Sequence, residues 1–355
     1  MDTQTLTVAY TTPTHLEVLP SPLADQVADM IRAGKRPNTL RAYRSDLAAF
    51  TAWCQQHNLT ALPASPTTVA GYLTDQAGRG LACSTVRRHL ATISKAHQVA
   101  GYAHEQNPAR SELVAAVMAG LRAEYAAAPK RAPGVSPEQL RQVLEAIPTT
   151  RRHPYATTEQ PDLAGLRDRA LLLVGWCAAL RRSELAALTW GCVEQVPGGV
   201  RLHLRNSKTD KGGEGQYAPL AAEPGNPDLC AVTALQAWRE VSARWGWGDG
   251  PTGPVAGDHP EQPVFRAVNK HSHLGGQLSG HAVGAIISQR SAAAGVEGVT
   301  GHSLRRGLIQ AAYLAGVNDA AILQTTRHRS VAMLAQYRVE AGLIERAASR
   351  GLLTQ

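Results

Sequence analysis

Ala126-Ala-Ala-Pro-Lys-Arg-Ala-Pro-Gly-Val-Ser136 carries two prolines, a glycine and two cations but no apolar stripe. That is the composition of an extended linker, and it divides the chain in two. Upstream of it, apolar residues recur at helical spacing over 39–57, 67–77, 84–100 and 111–125, with Pro37, Pro63, Pro66, Gly78, Gly80, Gly101 and Pro108 as breaks. An all-helical domain of four or five helices is expected over 21–125, preceded by a Thr- and Pro-rich flexible leader over 1–20. Downstream, Ser136-Pro137-Glu138 opens a helix, with proline at the position where its missing N–H costs nothing. Helices at about 137–147 and 162–180 then give way to three short strands, 192–196, 200–206 and 216–220, turned by Pro197-Gly-Gly199 and by the Gly-rich 210–215. Helical spacing resumes at about 228–244, 280–294, 303–315, 319–326 and 331–348, with 246–263 as a Gly/Pro-rich loop. The expected fold is mainly α in two domains, the second (137–355) an α+β domain with a small antiparallel three-stranded sheet.

At 355 residues the chain has ample core for two such domains. Its formal charge of +8, with thirty of the thirty-six Lys+Arg being Arg, points to a polyanionic partner, since the planar guanidinium matches phosphate bidentately. Both parts are basic: residues 1–130 hold 12 cations against 9 anions, and 131–355 hold 24 against 19. Five scattered cysteines without a Cys-x-x-Cys pair suggest neither a disulfide framework nor a thiolate zinc site. No apolar run reaches membrane-spanning length. A cytoplasmic, unexported protein is expected, with no membrane partner.

Four segments carry candidate chemistry. His302-Ser-Leu-Arg305 at a helix start presents an imidazole and a guanidinium to one point, which suits an anion. Alone, the pattern more often describes a satisfied histidine beside a surface arginine. Arg181 follows the apolar run Leu171–Cys177 and needs a partner, which Glu184 three residues on can supply, either as a structural ion pair or as the orienting acid of a phosphate clamp. Lys208 stands where a strand enters the Gly-rich hairpin; it is either a solvated turn residue or a proton donor. Tyr337 lies on a helix in a segment with Arg327, His328, Arg329 and Arg338, a basic setting for a phenol. A phenolate attacking a phosphodiester needs that positive field to neutralise the developing charge.

Together these segments resemble the tyrosine recombinase, or phage integrase, family. The match runs residue by residue: Arg181 as the first Arg, Glu184 as the supporting acid, Lys208 as the hairpin Lys, His302 and Arg305 as the His-x-x-Arg pair, His328 as the second His and Tyr337 as the nucleophile. Asn38-Thr39, Ala52-Trp53-Cys54, 69–73, Arg79-Gly80-Leu81-Ala82 and 85–90 are similar to the core-binding domain of the Cre branch of the family. His281 departs from that branch, which has an Arg reading the major groove there. The resemblance implies site-specific strand exchange through a covalent 3′-phosphotyrosyl intermediate, without cofactor or metal. It also implies a homotetramer on double-stranded DNA with paired inverted half-sites, a monomer or weak oligomer when free, a nucleoid-associated location, and a C-terminal helix (340–353) that docks on a neighbouring protomer.

On the helix over 84–100, Val86, Leu90, Ile93 and His97 form a narrow apolar stripe, with Ser84, Arg87, Arg88, Ala91, Lys95 and Gln98 opposite. That polar face is expected to enter a groove of DNA. Arg41 and Arg44 would add phosphate contacts, and Arg266, Lys270 and His281 complete the expected DNA-binding set. The alternatives are relaxation of supercoils or telomere resolution by the same chemistry, a DNA-binding protein without strand exchange, and a metal nuclease using His271, His273, His302 and His328.

Overall fold

A computed structural model describes residues 37–125, 132–152, 158–204, 215–244, 260–328 and 330–340, with the side chains of 37, 38, 244, 336 and 338–340 left undescribed. The chain falls into two units, Met1–Lys130 and Arg131–Gln355.

In the first unit, helices α1 (Pro37–Gln56), α2 (Pro66–Gly78), α3 (Cys83–Val99) and α4 (Glu112–Tyr125) enclose one core. Phe50, Cys54, Val69, Tyr72, Leu73, Val86, Ile93 and Val114 are essentially sealed within it. Proline at the first position and a Ser65 side chain accepting from the Thr68 N–H start α2. Of the apolar stripe expected on α3, Val86, Ile93 and His97 are buried and Leu90 is half-buried, and His89, Thr92 and Ala96 widen the buried face. His97 is fully buried because both ring nitrogens are used: Nε2 accepts from the Ala64 N–H at 2.9 Å, and Nδ1 donates to the Ile93 carbonyl at 2.9 Å. Burial depresses its pKa, which favours this neutral form. His97 thereby ties α3 to the segment that leads into α2.

The second unit opens with α5 (Pro137–Glu145), where Ser136 and Gln139 form a reciprocal capping box. A two-residue pairing of β1 (Thr150–Arg151) with β2 (Gln160–Pro161) precedes the central helix α6 (Leu163–Cys177), capped by Asp162. Helix α6 is apolar from Ala170 to Cys177 and buries most of its residues, including Arg167 and Asp168, whose carboxylate accepts from Arg167 at 2.8 Å and from Arg290 at 2.7 Å. Strands β3 (Val193–Val196), β4 (Gly199–Leu204) and β5 (Gln216–Ala221) form an antiparallel sheet in that order. Strict alternation orients the sheet: Val200, Leu202, Leu204, Ala218 and Leu220 face the core, while Arg201 and Tyr217 face outward. Helix α8 (Ala231–Arg244) packs along α6 and buries Trp238, whose indole N–H reaches the Val264 carbonyl at 2.7 Å.

The hairpin β6 (Arg266–Val268) with β7 (Leu274–Gln277) leads into α9 (Gly280–Ala293), followed by α10 (Ser303–Leu314), α11 (Asp319–Thr326) and α12 (Ala332–Glu340). A Cβ at Gly307 would overlap the backbone of Val135, so glycine is what lets the segment before α5 lie directly on α10. The Val135 N–H donates to the Ser303 carbonyl at 3.1 Å, and the Val135 carbonyl accepts from the Trp176 indole at 2.9 Å.

The fold is mainly helical with small antiparallel sheets, as expected, with three differences of detail. Helix α6 ends at Cys177 rather than near 180, and the turn expected to carry Arg181 and Glu184 is a short helix, α7 (Arg182–Ala187). The pairings β1–β2 and β6–β7 were not anticipated, because strands of two to four residues are too short to show a period. Among the described residues β4 ends at Leu204; the rest of the expected strand to 206, the hairpin with Lys208, and the helix over 341–353 lie outside them.

Candidate active site

The site is assembled where α6 ends. Ala179 takes a left-handed conformation (φ 48°), which breaks the helix and turns the chain towards Arg181. Arg181 then precedes α7, and Glu184 in its first turn folds back: its carboxylate accepts the Arg181 N–H at 2.9 Å and the Arg181 Nη1 at 2.5 Å. Glu184 is buried, and burial alone would raise its pKa. Arg327 and Arg181 outweigh that effect and hold the carboxyl below its ordinary range.

Arg305, one turn into α10, is completely buried. Its Nη1 donates to the Ala179 carbonyl at 2.7 Å, its Nη2 donates to the Thr326 carbonyl, and Nη2 lies 3.2 Å from His328 Nε2. The buried Nε has no hydrogen-bond partner. Burial, reinforced by repulsion from Arg181 and Arg327, pulls the guanidinium down to about 9, so it remains charged at neutral pH. His328 follows α11; its Nδ1 sits 2.8 Å from the Thr326 hydroxyl. Burial and the positive charges of Arg305 and Arg181 push the imidazole down to about 3, so it is neutral at pH 7.

Tyr337 on α12 is 3% exposed, its ring packed with Ile309, Tyr313, Ile322 and Leu334. The phenol oxygen comes within 3.3 Å of Nε2 of the exposed His302, which stands immediately before α10. The Arg306 guanidinium lies over the ring at 5.4 Å. Arg181, Glu184, His302, Arg305, His328 and Tyr337, spread over some 150 residues of sequence, therefore meet in one place. Lys208 lies outside the described residues.

Sequence reasoning missed Arg327, which resembled one more cation in a basic run. It sits at φ 57°, closes α11, and is buried, with Nη2 3.2 Å from Glu184 Oε2 and both terminal nitrogens on backbone carbonyls. The only signal in the sequence is that neither Gly nor Asn, the usual left-handed caps, follows Thr326.

Of the expected DNA-binding residues, Ser84, Arg87 and Arg88 are exposed on α3 and Arg41 and Arg44 on α1. Lys95 is half-buried and bonded to Gln98, and Arg88 is paired with the buried Asp46 at 2.9 Å. Lys270, at the β6–β7 turn, and His281, in the first turn of α9, are exposed. Arg266 is a correction. It is 6% exposed, and its Nε donates to the Gly275 carbonyl at 2.8 Å, so it fastens its own hairpin instead of facing outward. His271 and His273 belong to that hairpin's turn; among the described residues no three His, Cys, Asp or Glu side chains are grouped to hold a metal.

Residues 28–103 match the phage integrase N-terminal SAM-like domain, and residues 135–341 match the phage integrase family. The chain is 32% identical over 317 residues to an integrase/recombinase xerD homolog of Selenomonas ruminantium, covering 88% of this chain and 84% of that relative. It is 28% identical over 174 residues to the recombinase cre of Escherichia phage P1, covering 48% of each, so the xerD-type likeness is the longer of the two. The fold is also that of the XerH site-specific recombinase solved in a post-cleavage complex with palindromic difH substrate (TM-score 0.60, 13% identity, 99% of this chain and 95% of that one). A lambda integrase dimer bound to a COC′ core site shares it too (TM-score 0.54, 17% identity, 90% and 95%). With its catalytic unit matched along nearly its whole described length and a recombinase relative covering most of the chain, this protein belongs to the phage integrase family of tyrosine recombinases.

Proposed function

We propose that the chain recombines double-stranded DNA at specific sites, with Tyr337 as nucleophile. The observation that carries the reading is the seating of the Tyr337 hydroxyl beside His302, next to the Arg305–His328 pair and the Arg181–Glu184 clamp. The Tyr337 oxygen attacks the scissile phosphorus, the O–P bond to the tyrosine forms, and the P–O5′ bond breaks. The proton needed by the departing 5′-oxygen comes from Lys208. Arg181 and Arg305 neutralise the charge that gathers on the non-bridging oxygens, in a buried setting where each guanidinium acts strongly. His302 would take the phenolic proton, and the neutral His328, with Nε2 on Arg305 and Nδ1 on the Thr326 hydroxyl, would hold the Arg305 guanidinium towards the phosphate. Since the phosphotyrosyl ester conserves the phosphodiester bond, a 5′-hydroxyl from a partner strand reverses the step and completes the exchange.

The exposed cationic face of α3, with Arg87 and Arg88, and the cations Arg41 and Arg44 of α1 are suited to grip a duplex, as are Lys270 and His281 in the second unit. The working assembly is proposed to be a homotetramer on paired inverted half-sites, acting at the nucleoid, joined through the C-terminal segment 340–353, for which the sequence predicts a helix. The test is to incubate the protein with the genomic DNA that flanks its own gene, denature, and map covalent attachment. An adduct at Tyr337 and exchange on a two-site plasmid are expected. No adduct, or attachment elsewhere, would overturn the assignment; an adduct with relaxation but no exchange would make it a topoisomerase.

A further inference from the structure

We propose that Arg327 is a positioning residue for strand cleavage, acting through Glu184 on Arg181; the assignment rests on the recombinase reading above.

Arg327 occupies a left-handed backbone conformation (φ 57°, ψ 38°), where a Cβ is crowded and glycine is at ease. Closing α11 therefore gives no reason for arginine. The side chain supplies one. It runs inward until the guanidinium is 4% exposed, and there Nη1 donates to the carbonyls of Ala178 (3.1 Å) and Thr325 (2.7 Å), while Nη2 donates to the Ala179 carbonyl (3.3 Å) and to Glu184 Oε2 (3.2 Å). Ala178 and Ala179 form the turn that delivers Arg181, and the Ala179 carbonyl also accepts from Arg305. One guanidinium thus grips the backbone that aims the first phosphate-clamping arginine and the carboxylate that orients its side chain.

The charges make the arrangement interdependent. Glu184 is faced by Arg181 ahead of its own helix, by Arg327 beyond α11 and by Arg305 on α10, with His328 behind Arg305. An ionised Glu184 accepts from Arg181 with both oxygens; a protonated one surrenders an acceptor position and releases part of that grip. Burial pushes the carboxyl towards protonation, and the charge of Arg327 opposes it together with the charge and hydrogen bonds of Arg181. Without Arg327, Glu184 protonates at higher pH and the clamp loosens.

The experiment compares wild type, Arg327→Gly and Arg327→Lys for single-turnover cleavage of a nicked substrate from pH 5 to 8, with thermal unfolding and DNA binding measured alongside. Glycine suits the backbone but leaves Glu184 and three backbone carbonyls without the Arg327 donor, so Arg327→Gly is expected to unfold clearly below wild type, and cleavage is read at a temperature where it is folded and binds DNA. Its cleavage should slow at least tenfold at pH 7, and the acid limb of its profile should move to higher pH. Removing Arg327 relieves repulsion on His328 as well as withdrawing the charge that holds Glu184 ionised, so the same pair of profiles is taken in a Glu184→Gln background, and a shift seen only with Glu184 present isolates the carboxyl. Millimolar guanidinium, but not equal sodium chloride, should restore part of the rate by filling the vacated space. Arg327→Lys should keep the acid limb near wild type, since it keeps the charge, yet cleave more slowly because an ammonium cannot span Glu184 and the carbonyls together.

Wild-type rate and profile in Arg327→Gly would overturn the assignment, as would a slow variant whose limb does not move and which guanidinium does not rescue. If Arg327→Gly does not fold, a wild-type rate in Arg327→Lys overturns it instead. A wild-type protein that forms no adduct at Tyr337 would bring down the recombinase reading and this assignment with it.

Discussion

Replacing Asp46 with alanine should unlock the first unit from inside. The Asp46 carboxylate is 3% exposed and accepts from the Thr92 hydroxyl at 3.1 Å, from His89 Nε2 at 3.3 Å and from Arg88 Nη2 at 2.9 Å. His89 is neutral here, since burial lowers its pKa, and its Nδ1 lies 2.7 Å from the buried Tyr72 hydroxyl, so one tautomer serves both neighbours. A hydrogen bond to a charged group contributes about 1.5–3 kcal/mol, so losing the two buried ones removes about 3–6 kcal/mol. Relief from holding a carboxylate out of water returns part of that, leaving a net loss of about 2–5 kcal/mol. At roughly 4–8 °C per kcal/mol for a unit of this size, the transition should fall by roughly 10 °C or more. Arg88→Ala cuts only the half-exposed arm of the network and should cost about 1 kcal/mol or less. Urea denaturation of both variants, with hydrogen exchange to locate the loss within α1–α3, provides the measurement. A loss below about 0.5 kcal/mol for Asp46→Ala, or equal losses for the two variants, would refute the reasoning.

Tyr337→Phe keeps the ring in its pocket and gives up only the 3.3 Å contact to His302, so it should lose at most about 1.5 kcal/mol while abolishing the covalent adduct; Tyr337→Ala should cost about 3–5 kcal/mol. Denaturation curves and denaturing gels on the same preparations separate the two effects, and an adduct formed by the phenylalanine variant would remove Tyr337 from its role. Lys208→Ala should slow cleavage of ordinary DNA yet cut a substrate with a 5′-bridging sulfur at close to the wild-type rate, because a thiolate leaves without a proton; failure of the sulfur to rescue would exclude Lys208 as the acid. Stability should fall as pH drops below about 6.5. His97 and His328 have folded pKa values below their unfolded ones, so the unfolded chain binds more protons in that window; the contribution is complete above the unfolded value and is lost towards the folded one, about 3 for His328. Unfolding free energies at pH 7.5, 6.5 and 5.5 give the sign, and a flat or rising profile towards acid would contradict it.

What the sequence determined by itself is whatever depends on near neighbours. Spacings of two, three and four residues set which face of β4 carries Val200, Leu202 and Leu204 and which face of α3 carries Arg87 and Arg88. Capping residues fix where α5 and α6 begin, since Ser136 and Asp162 satisfy their first N–H groups. The types of the proposed catalytic residues were legible for a different reason: phosphoryl chemistry needs a nucleophile, cations and a proton donor, and few sequences supply them in this order. Partnerships across long separations were decided only by tertiary structure. Nothing local says that Arg266 turns inward to Gly275, that Arg88 finds Asp46, or that Arg327 passes beneath its neighbours to reach Glu184. A charged side chain reads as solvated until packing brings it an acceptor, because the same guanidinium is stable in water or against buried carbonyls. Which of the two it meets is fixed by how the elements stack, α1 against α3 for Arg88 and α6, α7, α10 and α11 around Arg327, and that stacking is set by apolar surfaces with no imprint on the charged residues themselves.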